Sequence, residues 1–413
     1  ERIAPDLILK GGNVVDVFSG RVIKADVIIK DGIICGVGSY SGENEQDVSG
    51  KYIMPGFIDS HVHIESSMTQ PSEYAKAVMP HGITTVIADP HEITNVCGED
   101  GLEFMLKSAK NIPLDVNLML PSCVPATPFE HTGANLDAKT TQKLASKFFG
   151  IGEMMNYPGI VSGDDETLGK LCLDIIDGHA PLLSGHELDA YASAGIKTDH
   201  ECSVIEEMAE KISKGMYILL REGTLSLDVA KLIKGVTPYT LRRCAFCTDD
   251  RFVGEIIRDG SIDHCIRKAV SLGLNNIDAI IMATLNACEI YGMKNKGAIA
   301  PSYVADIVVA DDLNLSSISQ VYKNGKLVCE NGKALFECET VDNSKVTNTV
   351  HLPKISADFF KTDVKDKFDA IELIPESIIT KKVTVSYSDS LSKVCVIERH
   401  HNLGTKGIGF VTN

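Results

Sequence analysis

The sequence predicts an α/β protein: a (β/α)8 TIM-like barrel with a composite β-sandwich domain from both flanks, followed by the beginning of a further C-terminal domain. Three observations carry this expectation. Eight short apolar segments recur through the middle of the chain, each followed by a stretch of helical periodicity. Hairpin-like β patterns bracket that middle on both sides. The length of 413 residues exceeds one ordinary domain at about 150 residues each, yet leaves room for a barrel that alone uses about 250.

In chain order, residues 1–53 open with Leu7-Ile8-Leu9-Lys10-Gly11-Gly12 and then Asp26-Val27-Ile28-Ile29-Lys30-Asp31-Gly32, apolar runs closed by Gly-Gly and Asp-Gly turns. Residues 54–290 hold the repeated units, with strands expected at 56–63, 84–90, 115–121, 149–155, 175–180, 195–201, 216–222 and 243–250. No G-x-G-x-x-G follows any of them, which disfavours a doubly wound dinucleotide fold. Residues 291–345 return to β alternation in Ala305-Asp306-Ile307-Val308-Val309-Ala310 and Val321-Tyr322-Lys323-Asn324-Gly325. They are expected to complete one sandwich with 1–53. Residues 346–413 resume alternation around Lys382-Val383-Thr384-Val385 and read as the start of an incomplete C-terminal domain.

Composition removes several function classes. Hydrophobic residues at 44% and charged residues at 23% exclude wholesale disorder. A formal net charge of −16 repels phosphates, so neither nucleic acid nor an anionic membrane surface is an expected partner. No apolar run reaches about 18 residues, so no spanning helix is expected, and no charged-then-apolar leader follows Glu1. Twelve cysteines lie scattered through apolar stretches, as buried free thiols of a reducing cytoplasm would. Cys244 and Cys247 have C-x-x-C spacing but no second pair, so core packing is expected there.

The polar residues that interrupt the apolar segments gather at strand C-termini, and a barrel collects all eight of those ends around one mouth. The first strand ends Asp59-Ser60-His61-Val62-His63. Residues two apart in an extended chain project together, so His61 and His63 can share a metal. The fourth strand supplies Glu153, the fifth His179, the sixth His200 and Glu201, the seventh Glu222, and the eighth Asp249 and Asp250. Four histidines and several carboxylates in this layout make a two-metal site, with Glu153 able to bridge, and the expected fold becomes a metal-dependent barrel. His91, at the end of strand two, is a candidate substrate contact, as is Asp250. His91-Glu92, His186-Glu187 and His200-Glu201 each begin H-E-x-x-H, but Asn95, Ala190 and Val204 replace the second histidine. His63-Ile64-Glu65 matches the H-x-E of base-flipping zinc deaminases, whose P-C-x-x-C is missing because Arg243 precedes Cys244.

These residues resemble the amidohydrolase superfamily, and within it the bacterial adenine deaminases. The resemblance rests on Pro55-Gly56-Phe57-Ile58-Asp59-Ser60-His61-Val62-His63-Ile64-Glu65, Ala88-Asp89-Pro90-His91-Glu92, Met119-Leu120-Pro121-Ser122-Cys123-Val124-Pro125, Gly152-Glu153-Met154-Met155-Asn156, Asp177-Gly178-His179-Ala180-Pro181, Thr198-Asp199-His200-Glu201-Cys202, Arg221-Glu222-Gly223 and Thr248-Asp249-Asp250-Arg251. It implies hydrolytic deamination of adenine to hypoxanthine and ammonia, a purine-salvage step carried out by a metal-bridged hydroxide. Two divalent metal ions are implied, manganese first and iron or zinc as alternatives. His61, His63, Glu153 and Asp249 would hold one, and Glu153, His179 and His200 the other. Strand four carries Glu153 and no lysine, unlike members that bridge their metals with a carboxylated lysine.

Deamination also requires an acid over the ring nitrogen as C6 becomes tetrahedral. Glu201 is the first candidate and Glu222 the second, and spacing alone does not separate them. Asp249 is expected to take the hydroxide proton and pass it to the leaving ammonia. A small-molecule purine substrate, a homo-oligomer of two or more copies and a cytoplasmic location complete the expectation. Two alternatives stand beside it: an amidohydrolase for another cyclic amidine or amide, and a non-catalytic metal-binding remnant. Family members normally run well past the length of this chain.

Overall fold

The computed structural model describes residues 4–364, 366–375, 379–388 and 390–412. Residues 1–3, 365, 376–378, 389 and 413, which belong to the expected flanking regions, lie outside the described residues.

Eight parallel strands form the centre: β1 (Phe57–Val62), β2 (Ile83–Ala88), β3 (Asp115–Leu120), β4 (Gly150–Met154), β5 (Ile176–Gly178), β6 (Thr198–Asp199), β7 (Tyr217–Arg221) and β8 (Cys244–Cys247). Each falls inside an apolar segment read from the sequence except β2, which begins one residue earlier, at Ile83. Strands β1 to β5 make one hydrogen-bonded sheet and β6 to β8 another. Two seams close the ring. Beyond the end of β8, Asp249 N–H donates to the His61 carbonyl (3.0 Å) and accepts through its own carbonyl from His63 N–H (3.1 Å). At the other seam Lys197 N–H reaches the Ile176 carbonyl at 3.4 Å, and Gly178 N–H donates to Thr198 Oγ1 at 3.1 Å.

Strands β6 and β8 are shorter than their apolar segments. After Asp199 and Cys247 the backbone leaves the ladder, and side chains take over its donors: Asp199 Oδ1 accepts from Ala180 N–H at 2.9 Å, and Asp59 Oδ1 from Thr248 N–H at 3.0 Å. The chain is thereby freed to turn just where His200, Glu201 and Asp249 must face the mouth.

Helices surround the ring, among them α1 (His91–Ser108), α2 (Ile205–Ser213) and α3 (Ile262–Ser271). Ile218 and Leu220 of β7 join Met208, Ile262 and Ile266 of these helices in one buried cluster, while Leu219 packs with Ile58, Ala245 and Cys247 of neighbouring strands. This alternation is what a strand with one face to the helices and one to the barrel interior requires. Cys244 and Cys247 are buried in β8 with free thiols, as are the other ten cysteines unpaired.

A nine-stranded sheet draws on chain from both sides of the barrel. Leu7–Asp16 pairs with Arg21–Lys30 and, in parallel, with Tyr52–Pro55; Ile307–Ala310 then pairs antiparallel with Tyr52–Pro55, Ile307 opposite Pro55. Leu9, Val14, Ile29, Ile53, Ile307 and Val309 form its shared core. Among the described residues of the C-terminal stretch, Phe368–Leu373, Thr380–Val385, Ser392–Ile397 and Lys406–Thr412 make a separate four-stranded sheet. No helix among the described residues is long and apolar enough to cross a membrane.

Candidate functional site

The strand ends bring six of the candidate residues into one buried group. His61 Nε2 and His63 Nε2 face each other at 3.1 Å, and Asp249 Oδ1 stands 3.1 Å from His63 Nε2 and 3.7 Å from His61 Nε2. Opposite them, Glu153 Oε2 lies 2.6 Å from His179 Nδ1 and 3.1 Å from His200 Nε2. Glu153 Oε1 points back towards His63 Nε2 at 3.6 Å, so one carboxylate touches both groups. The His61 ring stacks on the His200 ring with centroids 4.2 Å apart.

Local structure holds each donor in place. Asp249 has φ +56°, a left-handed conformation that costs a non-glycine residue about 1–3 kcal/mol. It is held there by the seam hydrogen bonds to His61 and His63. His63 Nδ1 pairs with the Asp89 carbonyl at 2.8 Å, which turns Nε2 to the centre. Asp89 Oδ2 accepts the Glu153 N–H at 2.9 Å, and a Cβ on Gly152 would overlap that carboxylate. Glycine before Glu153 is therefore a requirement of close approach.

Beneath His179 and His200, the buried Lys211 ammonium of α2 donates to the Ala180 carbonyl (2.7 Å), Asp199 Oδ2 (2.9 Å) and Glu207 Oε1 (2.7 Å). Burial pushes the Asp199 pKa up, but the Lys211 charge outweighs it and leaves the value at about 2. Strands β5 and β6 are thereby tied together under their two histidines.

The field at the centre favours cations. Burial works against a charged His179, yet the Glu153 carboxylate raises its pKa to about 9. Burial likewise opposes ionisation of Asp249, but the His63 hydrogen bond and the His200, His63 and Arg221 charges hold its carboxyl well below the usual range. Imidazole nitrogens and carboxylate oxygens converging at these separations are the donor set of a two-cation site. His61, His200 and Asp249 form one set able to hold an ion; His61, His63 and Glu153 form another, and Glu153, His179 and His200 a third. The residues present fit two divalent ions.

The other candidates divide. Glu201 is in the group: its Oε1 lies 3.5 Å from His200 Nε2 and 3.8 Å from His179 Nδ1. His91 is at its edge, Nδ1 3.2 Å from Glu153 Oε1. Glu222 is not brought there. Its carboxylate pairs with Lys268 of α3, with His264 Nε2 3.9 Å away, on the helix side of β7. Asp250 sits at the rim, accepting from the Ser66 hydroxyl, and Arg251 donates to the Glu222 carbonyl rather than to Asp250.

Sequence reasoning missed Arg221 as a site residue. Its guanidinium, 3% exposed, pairs with Glu201, with Asp228 at 3.1 Å and with Asp249 Oδ2 at 2.9 Å. An arginine ending the apolar run Tyr217-Ile218-Leu219-Leu220 was the available signal. Arg221→Met should take the guanidinium from buried Glu201 and Asp249, with Asp228 keeping Lys231 at 2.9 Å, and lower stability by about 3–5 kcal/mol, read as a shifted urea midpoint at unchanged slope.

The model of the amidohydrolase family matches residues 52–328. The chain belongs to the amidohydrolase family. It is 48% identical to the adenine deaminase of Clostridium acetobutylicum over 98% of this chain and 75% of that one. It is 44% identical to adenine deaminase 2 of Desulfotalea psychrophila, over 99% of this chain and 75% of that relative. Among solved structures, enamidase aligns with TM-score 0.59 at 17% identity, covering 80% of this chain and 97% of its own. The β-aspartyl dipeptidase of Fervidobacterium islandicum AW-1 aligns with TM-score 0.58 at 19% identity, covering 83% and 100%. These two likenesses establish the shared fold and nothing about substrate.

Proposed function

We propose that this amidohydrolase-family chain hydrolyses adenine to hypoxanthine and ammonia. One observation carries the reading: the single buried group of His61, His63, Asp249, His179 and His200 around Glu153, with Glu201 beside it, lies in a chain 48% identical to an adenine deaminase over nearly its whole length.

His61, His63 and Asp249 would hold one divalent cation, His179 and His200 the other, and Glu153 reaches both groups. Manganese is the first choice of ion, with iron(II) or zinc as alternatives. When bound, such a pair supplies an ionised nucleophile at neutral pH. The remaining work falls to the chain. As C6 of the purine becomes tetrahedral, the ring nitrogen beside it gains an electron pair and needs a proton, a role we assign to Glu201, whose carboxyl lies beside His179 and His200. Asp249 accepts the remaining proton of the hydroxyl added at C6 and passes it to the amino group, which leaves as ammonia as the C6 carbonyl forms. Arg221 orients both carboxylates through one guanidinium. His91 lies on the far side of Glu153 from His200 and is assigned to the substrate, with Asp250 at the rim. The proton released as the next water ionises restores the one Glu201 gives to the ring, so water plus adenine balances hypoxanthine plus ammonia.

Chelation should abolish turnover of adenine, and added Mn²⁺ should restore it, followed as hypoxanthine formed and ammonia released. A folded, metal-loaded sample that leaves adenine untouched would sink the reading, and release of ammonia from another cyclic amidine in that assay would replace it. We further assign the enzyme to the cytoplasm, because all twelve cysteines are free, and to a homo-oligomer whose size light scattering would report.

A further inference from the structure

Next to the two histidine–carboxylate groups lies a third set of donors, and it contains a thiol. Cys123 follows β3 and is buried, His91 opens α1, Asp89 follows β2, and Glu153 comes from β4. His91 Nδ1 is 3.3 Å from Cys123 Sγ, 3.2 Å from Glu153 Oε1 and 3.8 Å from Asp89 Oδ2. The Cys123, His91 and Glu153 donor atoms all lie within 4.8 Å of one another. Bond lengths to tetrahedral zinc of about 2.3 Å for sulfur and 2.0–2.1 Å for nitrogen put neighbouring donors roughly 3.4–3.6 Å apart, close to what is found. Asp89 is wholly buried and its Oδ1 has no hydrogen-bond partner. His91 Nε2 lies 3.4 Å from Glu92 Oε1, on the side of the ring away from Cys123.

We propose that Cys123, His91 and Glu153, backed by Asp89, form a third cation position, selective for a soft divalent ion such as zinc or cadmium, whose filling inhibits the enzyme. The thiolate supplies the selectivity, since the two groups assigned to the reaction contain only nitrogen and oxygen donors. As the sulfur–metal bond forms, the thiol proton passes to water. Inhibition follows because the ion would engage Glu153 Oε1 and His91, withdrawing both from the site of reaction. The inhibition rests on the deaminase reading, whereas the binding does not.

The test starts from the full chain carrying Cys35→Ser and Cys172→Ser, the two exposed cysteines, loaded with two equivalents of Mn²⁺. Cd²⁺ is titrated in while the ultraviolet thiolate-to-cadmium band is recorded, and total bound metal is measured by atomic emission after dialysis. The expected result is a third equivalent with a charge-transfer band. Cys123→Ser in that parent should lose both and weaken inhibition of adenine turnover by Zn²⁺ by at least about tenfold. Two equivalents and no band in the parent would overturn the proposal without recourse to the variant; so would a band and stoichiometry unchanged by Cys123→Ser. A third equivalent and a Cys123-dependent band in a protein that does not deaminate adenine would support the site while removing the deaminase reading.

Discussion

Asp249→Asn is expected to lower kcat for adenine by about three orders of magnitude or more while the protein stays folded. The amide keeps the shape of the carboxylate, so the seam hydrogen bonds from the Asp249 backbone to His61 and His63 should persist. What it loses is specific. An amide cannot accept the proton of the hydroxyl added at C6, and general acid–base transfer of that kind contributes about 10²–10⁴ in rate. It also removes an anionic oxygen 3.1 Å from His63 Nε2, weakening one of the two groups assigned to a cation. Arg221 retains Glu201 and Asp228, so its charge remains paired and the cost in stability should be small beside the cost in rate. The measurement is kcat against bound metal per chain. Turnover near that of the unaltered enzyme, in a variant with both metals bound, would dismiss Asp249 as the proton carrier. Loss of activity that extra Mn²⁺ fully restores would reduce its role to that of a ligand.

Legibility in the sequence followed how local each cause was. The eight strands are written in consecutive apolar residues, and each formed within its segment or, for β2, one residue ahead of it. His61, His63, Glu153, His179, His200 and Asp249 were visible for a related reason: a polar residue closing an apolar run can only be tolerated where the run meets solvent or a partner. Arg221 and Lys211 were not legible, because what they do depends on partners 20 or 28 residues away for Arg221 and on a loop carbonyl for Lys211. The shortness of β6 was hidden for the same reason. The side chains that replace its ladder, Thr198 and Asp199, accept from Gly178 N–H at the end of β5 and from Ala180 N–H just beyond it. Cys123 read as one more buried thiol until the β2 and β3 loops set it against His91.

The choice between Glu201 and Glu222 turns on strand alternation, and it gives the second large effect. Successive side chains of β7 point to opposite faces. Leu219 packs with residues of neighbouring strands and Arg221 pairs with Glu201 and Asp249, whereas Ile218 and Leu220 meet the helices, so Glu222 continues the helix-facing set and finds Lys268 there. Glu201→Gln is therefore expected to reduce kcat by about 10²–10⁴, the range for removing a general acid, with a smaller change in KM. Glu222→Gln should leave kcat within roughly tenfold of the parent and show itself instead in the urea midpoint, because it removes the buried carboxylate that pairs with the Lys268 ammonium. Two readouts separate chemistry from packing. Glu201→Gln should show its effect in kcat, whereas Glu222→Gln should keep kcat and lose only stability. If the two variants exchange these behaviours, the ring acid is Glu222, and β7 must rotate its C-terminal end towards the mouth when the purine binds.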